Sequence, residues 1–194
     1  MTKNNKLQTK QAQYVAKLKT QQNPYQLAAG DAFIDSMKSV GYKHAGSQAA
    51  ELIDNDIEAQ ASKMVIEILG ERKNVVDELI FLDDGIGMPP EIIPAAMTWG
   101  GSDRLNSSDL FGRFGFGLPS ACNCFGDDYS VISKQEDGDF YIVSFSVQKA
   151  KNGDYTDKNG TLSMPSAQNY KPSAKVKSLI EKHYGDFVSG TIII

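Results

Sequence analysis

Residues 51–59, with the sequence Glu-Leu-Ile-Asp-Asn-Asp-Ile-Glu-Ala, decide how this chain is interpreted. At about 100° per residue, an α-helix places Glu51, Asn55 and Glu58 on one face, with Asp54 at its edge. The apolar residues of the stretch fall on the opposite side: Leu52, Ile53 and Ile57. An acid and an amide one turn apart can reach into one cleft. A solvated amphipathic helix has the same pattern, so both interpretations stay open on this stretch alone.

A carboxylate beside a carboxamide suits a hard cation and a water molecule. Mg²⁺ prefers oxygen ligands and takes few of them from protein, leaving the others to water and phosphates. Asn55 is therefore a candidate Mg²⁺ ligand. Glu51 is a candidate for orienting or deprotonating a water molecule.

The composition is that of one ordinary globular domain. The chain has 194 residues, of which 41% are hydrophobic and 23% charged, and its net charge of −4 gives no reason to expect nucleic acid over the whole surface. No apolar run is long enough to cross a membrane, and the start does not resemble a secretory signal. Cys122 and Cys124 are interpreted as reduced core thiols, so we expect a cytoplasmic protein without a membrane partner.

The first 24 residues form a basic arm on an acidic body of residues 25–194. No acid precedes Asp31, whereas five lysines do: Lys3, Lys6, Lys10, Lys17 and Lys19. Leu7, Val15 and Leu18 recur with a weak helical periodicity, which favours an ordered arm over a disordered tail.

A second informative segment follows a predicted strand over residues 78–82. The strand runs directly into Asp83-Asp84-Gly85-Ile86-Gly87-Met88. A carboxylate fixed at a strand end can accept a hydrogen bond from an exocyclic amine such as that of adenine, and Gly85 and Gly87 permit close backbone approach. The alternative is a simple turn, because Asp-Gly is a common turn pair.

The third segment is a glycine-rich stretch over residues 99–117. Closely spaced glycines let backbone amides converge on an anion, and a helix beginning at Leu118 would point its positive end at the same anion. Arg113 or Arg104 is positioned in sequence to add charge-assisted contacts. Such loops are typical of functional lids, although glycines also make plain flexible loops.

The other predicted elements follow in order along the chain. The pattern predicts a short helix after Asp31, a long helix over 47–62, a strand over 63–69 and a helix after Pro90. These precede a hairpin of strands 129–134 and 140–147, a helix over 176–184 and a strand from Ser189. Because the chain stops inside this apolar strand, we expect a fragment of a longer protein.

Taken together, residues 49–191 resemble the GHKL ATPase superfamily, which includes gyrase, heat-shock chaperones, histidine kinases and MutL. Within this superfamily, the motifs of the chain most resemble those of MORC- and MutL-like hydrolases. Residues 51–55 resemble the first motif, 83–88 the second and 111–120 the third, while Gly190-Thr191 resembles a fourth. The resemblance implies an α/β two-layer sandwich of the Bergerat type, a mixed sheet with helices on one face.

The resemblance also assigns roles to residues. Glu51 would be the general base, Asn55 the Mg²⁺ ligand and Asp83 the partner of the adenine amine. The remaining nucleotide contacts would come from Asp54, Glu58, Gly85, Gly87, Met88, Gly112, Arg113, Gly115, Phe116, Gly117 and Thr191. Two departures from the pattern are Asp56, interpreted as a surface charge where relatives more often have a small residue, and Pro119, which leaves the start of its helix uncertain.

The function implied is Mg²⁺-dependent binding and slow hydrolysis of ATP, driving lid closure and ATP-dependent homodimerisation of a larger clamp or switch. The basic arm would strap onto the second protomer. A lysine that relatives supply from a following domain would lie beyond Ile194, so hydrolysis by this fragment should be slow. A histidine-kinase catalytic domain and a non-hydrolysing nucleotide sensor are the alternatives, and the sequence leaves open a DNA or a protein client.

Overall fold

The computed structural model describes residues 3–20, 45–70, 75–100, 116–158 and 161–194. Within these ranges the helices are α1 (Lys3–Leu18), α2 (Ala45–Glu58), α3 (Ile92–Ala96), α4 (Gly117–Phe125), α5 (Val147–Lys151) and α6 (Ala174–His183). The strands are β1 (Met64–Leu69), β2 (Glu78–Asp83), β3 (Asp128–Lys134), β4 (Tyr141–Ser146), β5 (Gln168–Asn169) and β6 (Gly190–Ile193).

The strands form one six-stranded sheet in the order β1-β2-β6-β3-β4-β5. The final strand of the chain lies at its centre, between β2 and β3, which explains why residues 190–193 are so apolar. All five pairings between these strands are antiparallel. A mixed sheet was predicted from the sequence, so this detail of the prediction is wrong. The reason is that β1 and β2, like β3 and β4, follow one another through short connections, and β6 then enters antiparallel to both of its neighbours.

Helices cover the first face of the sheet, as expected for a two-layer sandwich. Leu52 of α2 and Ala121 of α4 pack with Phe81 of β2, and Ile93 of α3 packs with Val131 of β3. These contacts define the face that carries the residues singled out in the sequence.

The second face differs from the expectation because it is covered by α6. Val176 and Leu179 of this helix are buried against Ile80, Leu82 and Ile192 of the sheet. Each β-strand turns alternate residues to opposite faces, and the four central residues of β2 are all apolar. The central part of β2 therefore has apolar side chains on both faces, and each face is buried against a helix.

The basic arm is ordered as α1 and packs on its own domain. Leu18 is buried in a small cluster with Ile92 and Ala95, and Lys19 forms a 3.3 Å ion pair with Glu91. No helix among the described residues is long and apolar enough to cross a membrane. The predicted helix after Asp31 lies outside the described residues, and α5 was not predicted.

Candidate functional site

Helix α2 turns a different side toward the domain than the sequence pattern indicates. Leu52 is buried, but Ile53 is 39% and Ile57 61% exposed, so the apolar side of the helix is not the side that packs on the domain. The buried side runs through Gln48 and Leu52, and one turn further along it reaches Asp56. Asp56 is therefore brought toward the sheet along the same side as Leu52, whereas Glu51 is exposed.

Asp83 ends β2 as a buried carboxylate, with only 4% of the residue exposed. The amide of Gly85 donates a hydrogen bond of 2.7 Å to its Oδ1, and the amide of Thr191 donates another. Thr191 faces Asp83 across the β2–β6 pairing, which explains how β6 delivers this donor. Two backbone amides thus fix the carboxylate at the end of the strand.

Asp56 and Asp83 are hydrogen-bonded to each other through their side chains. Burial, the negative charge of Asp83 and this hydrogen bond raise the pKa of Asp56 to about 8. Burial also raises the pKa of Asp83 to about 6, against the amide hydrogen bonds from Gly85 and Thr191 that lower it. Because the two carboxyl groups interact, their titrations are coupled, and near neutral pH the pair shares one proton.

The interpretation of Asp56 as a surface charge is wrong. The sequence contained one signal for its burial, since Asp56 lies four residues after Leu52 and four residues return a helix to nearly the same side.

Asp84 has a different task from its neighbour. Its carboxylate accepts hydrogen bonds from the Ser62 amide (2.8 Å), the Ser62 hydroxyl (2.6 Å) and the Lys63 amide (2.8 Å). Although burial acts to raise it, these hydrogen bonds hold the pKa of Asp84 below its usual range. Asp84 thereby ties the segment that follows α2 to the end of β2.

The segment after Asp83 is held close to the end of α2. The amide of Ile86 donates to the Ala59 carbonyl at 3.0 Å, and a Cβ built on Gly85 would lie 2.8 Å from the Ala59 side chain. Gly87 has φ = +64°, and a Cβ there would collide with the carbonyl of Lys134. The two predicted glycines are thus required by close backbone approach.

Ser133 of β3 connects several of the predicted residues, and sequence reasoning missed it. Its hydroxyl accepts from the Met88 amide at 2.8 Å, donates to the Gly190 carbonyl at 3.0 Å and lies 3.1 Å from the Thr191 hydroxyl. Ser133 is 1% exposed and faces Thr191 in the β3–β6 pairing. Met88 and Thr191 therefore belong to one network with Asp83, and their contacts with a nucleotide stay predictions.

The start of α4 meets the other end of α2. A Cβ built on Gly117 would lie 2.7 Å from Oε2 of Glu51, so the carboxylate lies against this glycine. Phe116 is the N-cap residue, and its side chain does not cap the free amides of the first turn. Pro119 falls within this first turn, which tolerates proline because those amides have no intrahelical partner. Gly112, Arg113, Gly115 and Arg104 lie outside the described residues.

Asn55 fits the ligand requirement of a magnesium ion. Its Nδ2 is buried without an acceptor among the described residues, and a flip of the amide would present the oxygen at the same place. In the part of the chain that the structure describes, no three acids, histidines or cysteines form a metal-binding group. This donor set suits an ion that takes one protein oxygen and completes its shell with water and phosphates. Asp54 and Glu58 are partly buried in α2, and their nucleotide contacts stay predictions.

Helix α1 reaches the rim of the same region. Nε2 of Gln11 donates to the Gly87 carbonyl at 3.4 Å, and Nε2 of Gln135 donates to Oε1 of Gln11 at 3.0 Å. The arm is thus linked to the backbone beside Met88.

These elements define a class of protein, namely an α/β sandwich in which one acidic helix joins a buried carboxylate at a strand end to the N-terminus of a second helix. Comparison with known proteins makes the class specific. The sequence profile of the histidine kinase-, DNA gyrase B-, and HSP90-like ATPases matches residues 45–183, and the chain belongs to this GHKL family of ATPases.

Relatives of known name agree with this assignment. The chain is 37% identical over 92 residues to ATPase MORC2 of Homo sapiens and equally to ATPase MORC2A of Mus musculus, with 45% of this chain and 9% of each relative covered. It is 30% identical over 77 residues to the DNA mismatch repair protein MutL of Chlamydia trachomatis, with 39% of this chain and 13% of that protein covered. The chain thus spans about a tenth of the length of these relatives.

Proposed function

We propose that this chain binds ATP with Mg²⁺ between α2, the segment after β2 and the start of α4, and hydrolyses it slowly. The observation that supports this most directly is that one helix, α2, reaches Asp83 through Asp56 and Gly117 through Glu51. Residues 51 and 56 are separated by about 7.5 Å along the helix axis. A ligand lying along α2 meets an acid at one end and a helix N-terminus at the other.

Each end suits one part of a nucleotide. The Asp83 carboxylate accepts a hydrogen bond from the 6-amino group of adenine, and Thr191 and Ser133 hold the strand ends around it. The amides of Gly117 and Leu118 at the start of α4 receive the phosphates, which the helix dipole favours.

Hydrolysis requires a base beside the phosphates. Glu51 takes a proton from a water molecule as the water oxygen attacks the γ-phosphorus, and the bond to the bridging oxygen breaks to release ADP. Asn55 would hold Mg²⁺, which when bound neutralises charge on the phosphate oxygens.

We propose further that ATP binding drives lid closure and dimerisation. Residues 101–115 of the predicted lid lie outside the described ranges. Helix α1 would exchange its contacts near Gly87 and Ile92 for contacts with a second protomer. Deleting residues 1–23 should then weaken ATP-dependent dimerisation, measured by light scattering with and without ATP.

The test of hydrolysis is Glu51→Gln, with Glu181→Gln on the exposed side of α6 as its matched control. We expect Glu51→Gln to bind ATP within about threefold of the wild type and to lose at least about 100-fold in kcat, since general-base catalysis contributes that much or more. Phosphate release and ATP affinity are measured on the same samples.

The outcome separates the alternatives. Unchanged phosphate release in Glu51→Gln would contradict the base assignment. If the wild-type protein bound ATP but did not hydrolyse it, the result would favour a nucleotide sensor. Acid-labile phosphate on the protein after incubation with γ-labelled ATP would favour a histidine kinase.

A further inference from the structure

Residues 59–63 connect α2 to β1 and determine where the end of α2 lies. The Ala61 amide closes the helix by donating to the Asp56 carbonyl at 3.0 Å, and Gln60 has φ = +60°. Glycine is the residue that usually occupies this position at a helix end. Because any other residue adopts such a conformation at an energetic cost, the surrounding structure must hold the connection in place.

The Asp84 side chain holds this connection against the end of β2. Its Oδ1 accepts hydrogen bonds from the Ser62 and Lys63 amides, both at 2.8 Å, and its Oδ2 accepts from the Ser62 hydroxyl at 2.6 Å. The Asp84 amide donates in turn to the Lys63 carbonyl at 3.3 Å. Asp84 is therefore joined to two consecutive residues of the connection through both its side chain and its backbone.

The strands on either side of this contact have other supports. β1 and β2 pair along all six residues of each strand. On the second face of the sheet, the Tyr184 hydroxyl lies 2.8 Å from the Leu82 carbonyl and 3.0 Å from the Lys63 carbonyl. Loss of the Asp84 side chain would therefore release the connection and the end of α2, while the sheet keeps its register.

The end of α2 matters because the proposed nucleotide site is divided between two elements. Asp83 belongs to β2, whereas Glu51 and Asn55 belong to α2. A shift of α2 along β2 would move the groups assigned to the phosphates and Mg²⁺ relative to the group assigned to the base. A ligand that occupies two subsites at once binds tightly only when the distance between the subsites matches it.

We propose that Asp84 is a positioning residue, which fixes the end of α2 against the end of β2 and thereby aligns the base part of the site with the phosphate part. The inference rests on the proposed function, because it concerns how the two parts of that nucleotide site are held together. Asp84 touches neither the nucleotide nor the reacting atoms. Its loss therefore weakens a ligand that spans both parts and spares a ligand that occupies the base part alone.

The test compares ATP with adenosine, which has the base and the ribose but no phosphates. Asp84→Ala removes the three side-chain contacts, Asp84→Asn keeps an oxygen for the two amides, and Ser62→Ala removes one donor at a position outside β2. Asp157→Ala is the matched control, because its Oδ1 likewise accepts from a backbone amide, that of Thr161 at 2.9 Å, in a different loop.

Three quantities are measured on each variant. Titration calorimetry gives the dissociation constant of ATP with Mg²⁺, and nuclear magnetic resonance titration gives that of adenosine. Phosphate release gives kcat. Retained adenosine binding also shows that a variant is folded.

In Asp84→Ala we expect the affinity for adenosine to stay within about threefold of the wild type and the affinity for ATP to fall by about tenfold or more. The kcat should fall by at least about tenfold, because small displacements of a catalytic group have large effects on rate. Ser62→Ala should show the same pattern with a loss of about threefold, as expected for one hydrogen bond. Asp157→Ala should match the wild type.

Asp84→Asn is the rescue variant. We expect it to stay within about threefold of the wild type in all three quantities, because the Ser62 hydroxyl can accept from the new amide group instead of donating. A loss as large as that of Asp84→Ala would overturn the role of these hydrogen bonds.

Two further outcomes of Asp84→Ala would overturn the inference. Equal losses of affinity for ATP and adenosine would mean that Asp84 shapes the base part directly and does not align the two parts. Wild-type ATP affinity and kcat would remove Asp84 from the site and leave the proposed function standing. The proposed function itself would fail in the wild type, if that protein bound ATP no more tightly than adenosine or bound neither.

Discussion

The carboxylate of Glu51 lies against Gly117, so closely that a Cβ on this glycine would come within 2.7 Å of Oε2. The two residues belong to helices that pack on each other, and the contact joins the acid of α2 to the first turn of α4. A side chain at position 117 would therefore have to displace the catalytic acid that we propose.

Gly117→Ala should lower kcat by roughly tenfold or more, because small displacements of a catalytic group have large effects on rate. The free energy of unfolding should change by less than about 1 kcal/mol, since the end of a flexible glutamate can move aside and alanine favours a helix. Steady-state kinetics and urea unfolding check the two parts. Gly46→Ala in α2 is the matched control, because a Cβ there meets nothing within 4 Å. Equal kcat values in the two variants would contradict the proposed placement of the base.

Gly87→Ala should destabilise the domain by about 2 kcal/mol or more, because the new Cβ has a positive φ and meets the Lys134 carbonyl. Gly185→Ala separates the two causes. Its φ is +69° but the space around it is open, so it should cost only about 1–2 kcal/mol. Urea unfolding measures both, and equal losses would show that the close approach of the two backbones is absent.

Ser133→Ala should destabilise the domain by about 1–3 kcal/mol, because the Met88 amide would lose its acceptor in a buried place. The matched control is Ser130→Ala on the same strand, whose hydroxyl pairs with Ser144 at an exposed position and should matter by less than about 1 kcal/mol. Chemical unfolding compares the two. A smaller loss for Ser133→Ala than for Ser130→Ala would mean that Ser133 does not connect the strands.

The stability of the domain without ligand should depend on pH through the Asp56 and Asp83 pair. The pKa of each acid is raised in the folded state, to about 8 and about 6, above the usual value of 3.8. Between pH 3.8 and about pH 8 the folded state therefore binds more protons than the unfolded chain. The stabilisation that these two acids give to the folded state is complete below about pH 4 and is lost as the pH rises toward 8.

Asp56→Asn removes one titration from this pair. Compared with this variant, the wild type should lose stability between pH 5 and 8 with a slope below about 1.4 kcal/mol per pH unit, the limit for one proton. The slope should be well below the limit, since Asp56 is only partly buried. Thermal or urea unfolding across this range measures the difference, and parallel curves for the two proteins would refute the shared proton.

The order of the motifs made part of the site predictable. Asp83 follows an apolar strand directly, and Glu51 lies on a helix with a clear pattern, so each could be placed on an element from local sequence alone. A helix beginning at Leu118 was expected, and α4 begins one residue earlier, at Gly117. The family resemblance is confirmed.

Contacts between distant segments were not predictable in the same way. Ser133 meets Met88 and Thr191 only because β6 lies between β2 and β3, and the order of strands in a sheet is not encoded in their order along the chain. Asp56 was misread for a related reason. Helical periodicity gives two candidate buried sides for α2, and only packing against the sheet decides that Leu52 rather than Ile53 points inward.

The central claim is that the Asp83 carboxylate accepts a hydrogen bond from the adenine of ATP. Isothermal titration calorimetry with ATP in the presence of Mg²⁺ tests this claim most directly. Asp83→Asn keeps the shape of the side chain but replaces an acceptor by a donor where the amino group should bind. We expect measurable binding to the wild type and at least about 30-fold weaker binding to Asp83→Asn, since an unsatisfied buried contact adds to the lost hydrogen bond. Equal affinity in a folded variant would contradict the account.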